Sequence, residues 1–144
     1  MRYLMIVKAT PLSERGEFPP GAETMFAEMA AFNNEMIAAG VMLDGAGLKP
    51  SAAGKRIRFE GRGKTIVMDG PFTETKELIA GYWVIQCKDM DEALGWARRV
   101  PFEDGEIELR PYQEPEDFKG LASDEVVAQE QAWREEQARK APKA

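Results

Sequence analysis

The chain of 144 residues contains no histidine. That absence excludes Ser-His-Asp and Cys-His catalysis, HExxH zinc sites and imidazole bases at once. A single cysteine, Cys87, leaves no internal disulfide and fits a reducing, cytoplasmic setting. With one thiol and no imidazole, the donor set for a tight zinc or copper site is missing. No metal site is expected, and no motif implies a cofactor. Any acid–base chemistry falls to carboxylates, lysine, tyrosine, Cys87, a terminal amine or a bound cofactor.

Long apolar runs are missing too. The first run, Tyr3 to Val7, ends at Lys8 and is too short for a signal h-region. Nothing approaches the ~18 apolar residues of a membrane helix. Basic clusters never exceed two consecutive residues, and the net charge is −6. A negative surface repels phosphates and anionic lipids, so neither nucleic acid nor membrane is an expected partner. What is present is globular: 44% apolar residues, in a length that fits one ordinary domain.

Periodicity gives the elements. Residues 2–8, RYLMIVK, put Tyr3, Met5 and Val7 on one face of a strand and Leu4 and Ile6 on the other. Both faces are apolar, which predicts a central strand covered on both sides. Residues 10–21, with Pro11, Gly16, Pro19, Pro20 and Gly21, read as an irregular loop. A helix over 22–39 follows from Met25, Met29, Phe32 and Met36 at helical spacing, with Phe26 and Ile37 beside them and Gly40 as a left-handed stop. Those methionines are core filler rather than metal ligands. Asn33, near that stripe, is placed to hydrogen-bond within a pocket.

Residues 41–50 read as a second strand broken by glycines. KRIRFE and KTIVMD around GRG predict a hairpin. The GRGK stretch is a turn, since it lacks the rest of a phosphate-loop pattern. LIAGYWVIQC, 78–87, is again apolar on both faces. Asp89 and Glu92 form a capping-box pattern, and Met90, Ala93, Leu94, Ala97 and Val100 make the expected buried stripe of a second helix, stopped by Pro101. In GEIELRPY, 105–112, Ile107 and Leu109 alternate with Glu106, Glu108, Arg110 and Tyr112.

Without the hairpin the order is βαββαβ, that of a ferredoxin-like α+β fold. Two helices then cover one sheet face. The other face exposes apolar residues of the strands at 2–8 and 78–87, which predicts a homodimer with sheets packed face to face. The segment 114–144 differs in composition: a charged helix over about 123–140, with Glu130–Arg134, Glu135–Arg139 and Glu136–Lys140 at i,i+4 spacing. It lies on a surface, its own or a partner subunit's, anchored by Trp133, or it is a solvated extension.

The stretch DGPFTETKE, Asp69 to Glu77, joins the hairpin to the long strand. Its structural role is a rigid corner built by Asp, Gly and Pro, with Phe72 plugging an apolar gap. Its functional role is as a partner for the last strand. An Arg110 facing a dimer cleft needs an acid or an anionic ligand, and Asp69, Glu74 and Glu77 are candidate acids. Asp69, Glu74, Lys76, Glu77, Glu108 and Arg110 are thus candidate ligand-binding residues. Asp69 and Tyr82 are candidate catalytic ones. Cys87, at the end of an apolar strand, is a buried structural thiol.

DGPFTETKE followed by IAGYWVI, DMDEALGWARRVP and IELRP, with RYLMIV and AAGVMLDGAGLKP before them, resembles the DGPF-type members of the YCII-related family. The resemblance covers roughly residues 1–113 and leaves 114–144 as a separate C-terminal helical extension. It implies a dimeric α+β, ferredoxin-like fold similar to dimeric α+β barrel proteins. It also implies bacterial relatives, some of which accompany or are fused to extracytoplasmic-function sigma factors. The His–Asp pair found in many members has no counterpart in a chain without histidine. Three functions stay open. The first is binding of a small polar or anionic molecule at the interface of a homodimer or higher oligomer. The second is a cofactor-free isomerase or lyase using carboxylate or tyrosine chemistry. The third is a protein-interaction accessory in transcriptional regulation.

Overall fold

The computed structural model describes residues 1–140, apart from the side chain of Thr75. The last four residues of the expected extension, 141–144, lie outside the described residues. Strand β1 (Arg2–Lys8) leads through a short helix α1 (Pro11–Glu14) to helix α2 (Ala22–Ala38) and strand β2 (Met42–Gly47). A hairpin of β3 (Lys55–Phe59) and β4 (Thr65–Asp69) precedes β5 (Ile79–Gln86), α3 (Met90–Ala97), β6 (Ile107–Pro111) and α4 (Asp124–Lys140). The main sheet has the order β2-β5-β1-β6 with every neighbour antiparallel, and the hairpin forms its own two-stranded sheet. This is the ferredoxin-like arrangement. The four-stranded sheet is open, with β2 and β6 as its edges, so the barrel comparison does not extend to a closed barrel within the chain.

Alternation sorts the strands as expected. Tyr3 and Met5 of β1 and Trp83 and Ile85 of β5 pack against Phe32 and Met36 of α2 and Ala93 of α3. Gly45 of β2 lies under the Trp83 indole, where an added Cβ would stand 2.7 Å from a ring carbon. The indole N–H donates to the side-chain oxygen of Asn33 at 2.9 Å, which satisfies the polar atom of a residue 6% exposed. Helix α2 ends in a Schellman turn. Gly40, at φ 71°, donates to Ile37, and Val41 donates to Met36.

Four expectations need correction. The 10–21 loop contains α1, because Thr10 caps Ser13 reciprocally and Pro11 opens the first turn. The second strand spans only 42–47, with a register shift between Met42 and Asp44. The expected stripes are narrower than the sequence suggests, with Phe26, Met90 and Leu94 exposed while Trp96 packs against the core. Asp89 does accept from the Glu92 backbone N–H at 2.9 Å, but the Glu92 carboxylate accepts from Lys88 rather than from the cap residue.

Candidate functional site: the open face of the sheet

The β registers place side chains on the face away from α2 and α3 in two rows. One row runs Asp44, Val84, Leu4, Arg110, and its neighbour runs Ala46, Tyr82, Ile6, Glu108. Each row crosses four strands, about 14 Å at the usual interstrand spacing. The floor is apolar: Leu4, Ile6 and Val84 are half-buried. The ends are polar. At the β6 edge, Glu108 lies between two cations, Lys8 at 3.6 Å and Arg110 at 3.5 Å. One carboxylate is thus shared by two cations at that edge. The Arg110 side chain is 70% exposed and free to turn toward a ligand. At the β2 edge the Tyr82 hydroxyl donates to Asp44 at 3.3 Å. The Asp44 charge, then partial burial, then that hydrogen bond raise the Tyr82 pKa above its ordinary value. At neutral pH Tyr82 is therefore a phenol that donates hydrogen bonds and not a phenolate base.

Arg2 closes one end of the face. Its guanidinium donates twice to Glu114, at 2.8 and 3.3 Å, and lies over the Tyr112 ring at 5.0 Å. Beyond it α4 crosses the same end. A groove of about 460 Å³ is lined there by Arg2, Leu43 and Gln86 on the sheet side and by Arg134 and Glu135 on the helix side. Arg134 pairs with Glu130 at 2.9 Å, and its Nε is buried with no hydrogen-bond partner among the described residues.

The expected site divides in two. Tyr82, Glu108 and Arg110 share the open face. Asp69, Glu74, Lys76 and Glu77 do not join them: they lie at the hairpin, beyond the opposite end of the sheet from Arg2. Arg110 takes Glu108 as its acid instead of Asp69, Glu74 or Glu77, because β6 carries both partners two residues apart on one face. Asp69 is exposed and pairs with Lys55 across the base of the hairpin. Glu74, Lys76 and Glu77 are exposed, and Glu77 flanks a shallow groove of about 490 Å³ beside the DGPF corner.

That corner is a packed joint. Gly70–Pro71 is a cis peptide. The Phe72 backbone N–H donates to the Ser51 hydroxyl at 3.0 Å. Ser51 in turn donates its hydroxyl and its backbone N–H to Glu14. Arg56 stacks on the Phe72 ring at 3.9 Å. Phe72 is half-buried beneath that guanidinium and lines the groove beside the corner. Sequence reasoning missed Lys8, Asp44, Glu14 and Ser51. Alternation alone puts Lys8 on the face of Leu4 and Ile6, but the others depend on a strand irregularity and a contact between distant segments.

The model of the YCII-related domain covers residues 1–116. The chain belongs to the YCII-related family. An uncharacterized protein of Rhizobium meliloti (strain 1021) is 38% identical over 92 residues, covering 62% of this chain and 73% of its own length. Among solved structures, a likeness extends to 5-chloro-2-hydroxyhydroquinone dehydrochlorinase (TftG) from Burkholderia phenoliruptrix AC1100, in complex with 2,5-dihydroxybenzoquinone. It is 13% identical with a TM-score of 0.45, covering 79% of this chain and 95% of that one. Helix α4 lies beyond the matched domain. No helix among the described residues is long and apolar enough to cross a membrane.

Proposed function

We propose that this YCII-related protein binds a small anionic molecule with an apolar body on the open face of its sheet, in a cleft closed by a second copy of the chain. The observation that carries this reading is the row from Asp44 to Arg110. An apolar floor is bounded by a cationic edge at Lys8 and Arg110 and by a hydrogen-bonding edge at Tyr82 and Asp44. A carboxylate fits a guanidinium whose own acid is shared and distant. An aliphatic or aromatic body gains burial on Leu4, Ile6 and Val84. A hydroxyl or carbonyl at its far end meets the Tyr82 phenol.

Calorimetric titration of aromatic and aliphatic carboxylates, on the wild type and on Arg110→Ala, tests the proposal. Saturable binding that weakens at least about tenfold in the variant is expected, the loss of one charge-assisted contact. Equal affinity in both proteins, or no binding across the panel, argues against it.

A further inference from the structure

The β3–β4 hairpin leaves one face uncovered. Ile57, Phe59 and Val67 are 57%, 75% and 58% exposed. They share a face by register, since Ile57 pairs with Val67 and Phe59 with Thr65. The opposite hairpin face is different: Ile66 and Met68 are half-buried, and Arg56 stacks on Phe72. An isolated two-stranded ribbon is marginal in water, and an exposed apolar face on one calls for a cover. The hairpin is also basic. Lys55, Arg56, Arg58, Arg62 and Lys64 outnumber Glu60 and Asp69, giving a net charge of +3 within a chain of −6.

The complement lies in the same chain. Residues 114–140 hold eight acids against Lys119, Arg134, Arg139 and Lys140, a net charge of −4. On α4, Val126 and Trp133 are 53% and 54% exposed, and their i,i+7 spacing puts them on one side of the helix. Leu121, just before the helix, is 85% exposed. The hairpin cannot reach this surface in its own subunit. It springs from the Lys8 and Ile79 end of the sheet, where Gly70 donates to Gly54 and Ala9 to Leu78. Helix α4 lies at the Arg2 and Gln86 end. The two ends are separated by the length of β1, about 20 Å.

We propose that two copies interlock through these surfaces, the basic apolar hairpin of each chain seating on the acidic C-terminal helix of the other. A two-fold axis lying between the sheets and across the strands brings opposite sheet ends together twice over. The arrangement rests on the proposed two-copy cleft and specifies its alignment: strands run antiparallel across the interface, with α4 and the partner's hairpin closing both ends of the ligand face. A polyanion is a poorer occupant of the hairpin, because the rest of the chain repels it while an acidic apolar helix is supplied by every second copy.

The test is a mixed cross-link. Phe59→Cys and Trp133→Cys proteins are combined under oxidising conditions, with Cys87 buried in each. A disulfide-linked species containing one of each variant is expected, in several-fold excess over either variant linked to itself. Phe59→Cys linking to itself as readily as in the mixture would indicate hairpin against hairpin and overturn the interlock. Sedimentation equilibrium supplies the second measurement. Phe59→Asp, and separately truncation after Ser123, should raise the dimer dissociation constant at least tenfold. A dimer indifferent to both changes overturns the interlock. Carboxylate binding measured on Arg110→Ala reports separately on the ligand face. A wild-type monomer overturns the interlock whatever the ligand result, as does a hairpin that retains nucleic acid while the chain stays monomeric.

Discussion

The carbonyl oxygen of Ser51 lies 1.8 Å from where a Cβ on Gly70 would stand. The obstacle is backbone on both sides, in a joint fixed by the hydrogen bonds among Phe72, Ser51 and Glu14. Glycine is therefore required at the centre of DGPF by contact, whatever chemistry the motif serves.

Gly70→Ala should destabilise the protein toward the top of the ~1–3 kcal/mol range of overpacked sites. Gly95→Ala is the opposite case. Gly95 lies in α3 with nothing within 4 Å of an added Cβ, and alanine there should gain about 0.5–1 kcal/mol. Urea unfolding of the two variants decides. Similar midpoints for Gly70→Ala and the wild type would show that the corner yields.

Much of this architecture was legible in local pattern. Alternation assigned Tyr3 and Met5 to one face and Leu4 and Ile6 to the other, and the strand order followed from the βαββαβ succession. What escaped were relations between distant segments. Glu14 and Ser51 are 37 residues apart, and their contact depends on a four-residue helix with little periodic signal. Charge alone makes Asp69, Glu74 and Glu77 equal candidates to pair with Arg110, yet the sheet end from which the hairpin springs decides their neighbours, and alternation does not encode that. The basic hairpin escaped because its cations are interleaved with apolar residues and never form a run.

Asn33 and Trp83 join α2 to β5 through one buried hydrogen bond. Asn33→Leu removes the acceptor and leaves the indole N–H unpaired in the core, which should cost about 1–3 kcal/mol. Trp83→Phe in that background should cost less than in the wild type, since it deletes the orphaned donor. A double-mutant cycle from denaturant unfolding reads the coupling, and additive single effects would contradict the bond's contribution.

Cys87 is 4% exposed, and burial first, then the Glu92 charge, push its thiol pKa up to about 11. Native protein at pH 8 should therefore label with a disulfide reagent far more slowly than unfolded protein, which should react to one equivalent. Fast native labelling would mean that the strand end opens.

Arg2 and Glu114 tie the first strand to the chain beyond the last one. Hydrogen bonding from Arg2 is the main cause that holds the Glu114 carboxyl below its ordinary value. A depressed folded pKa stabilises the protein above the unfolded value, ~4.3 for glutamate, and that contribution disappears as pH falls through the folded value. Glu114→Gln should cost about 1 kcal/mol at pH 7, the upper range for a pair partly open to solvent. The gap between the variant and the wild type should narrow as pH falls below about 4 and close once the wild-type carboxyl is protonated in both states. Thermal unfolding of both proteins between pH 7 and 3 measures it. A gap independent of pH would assign the loss to packing against Arg2 rather than to charge.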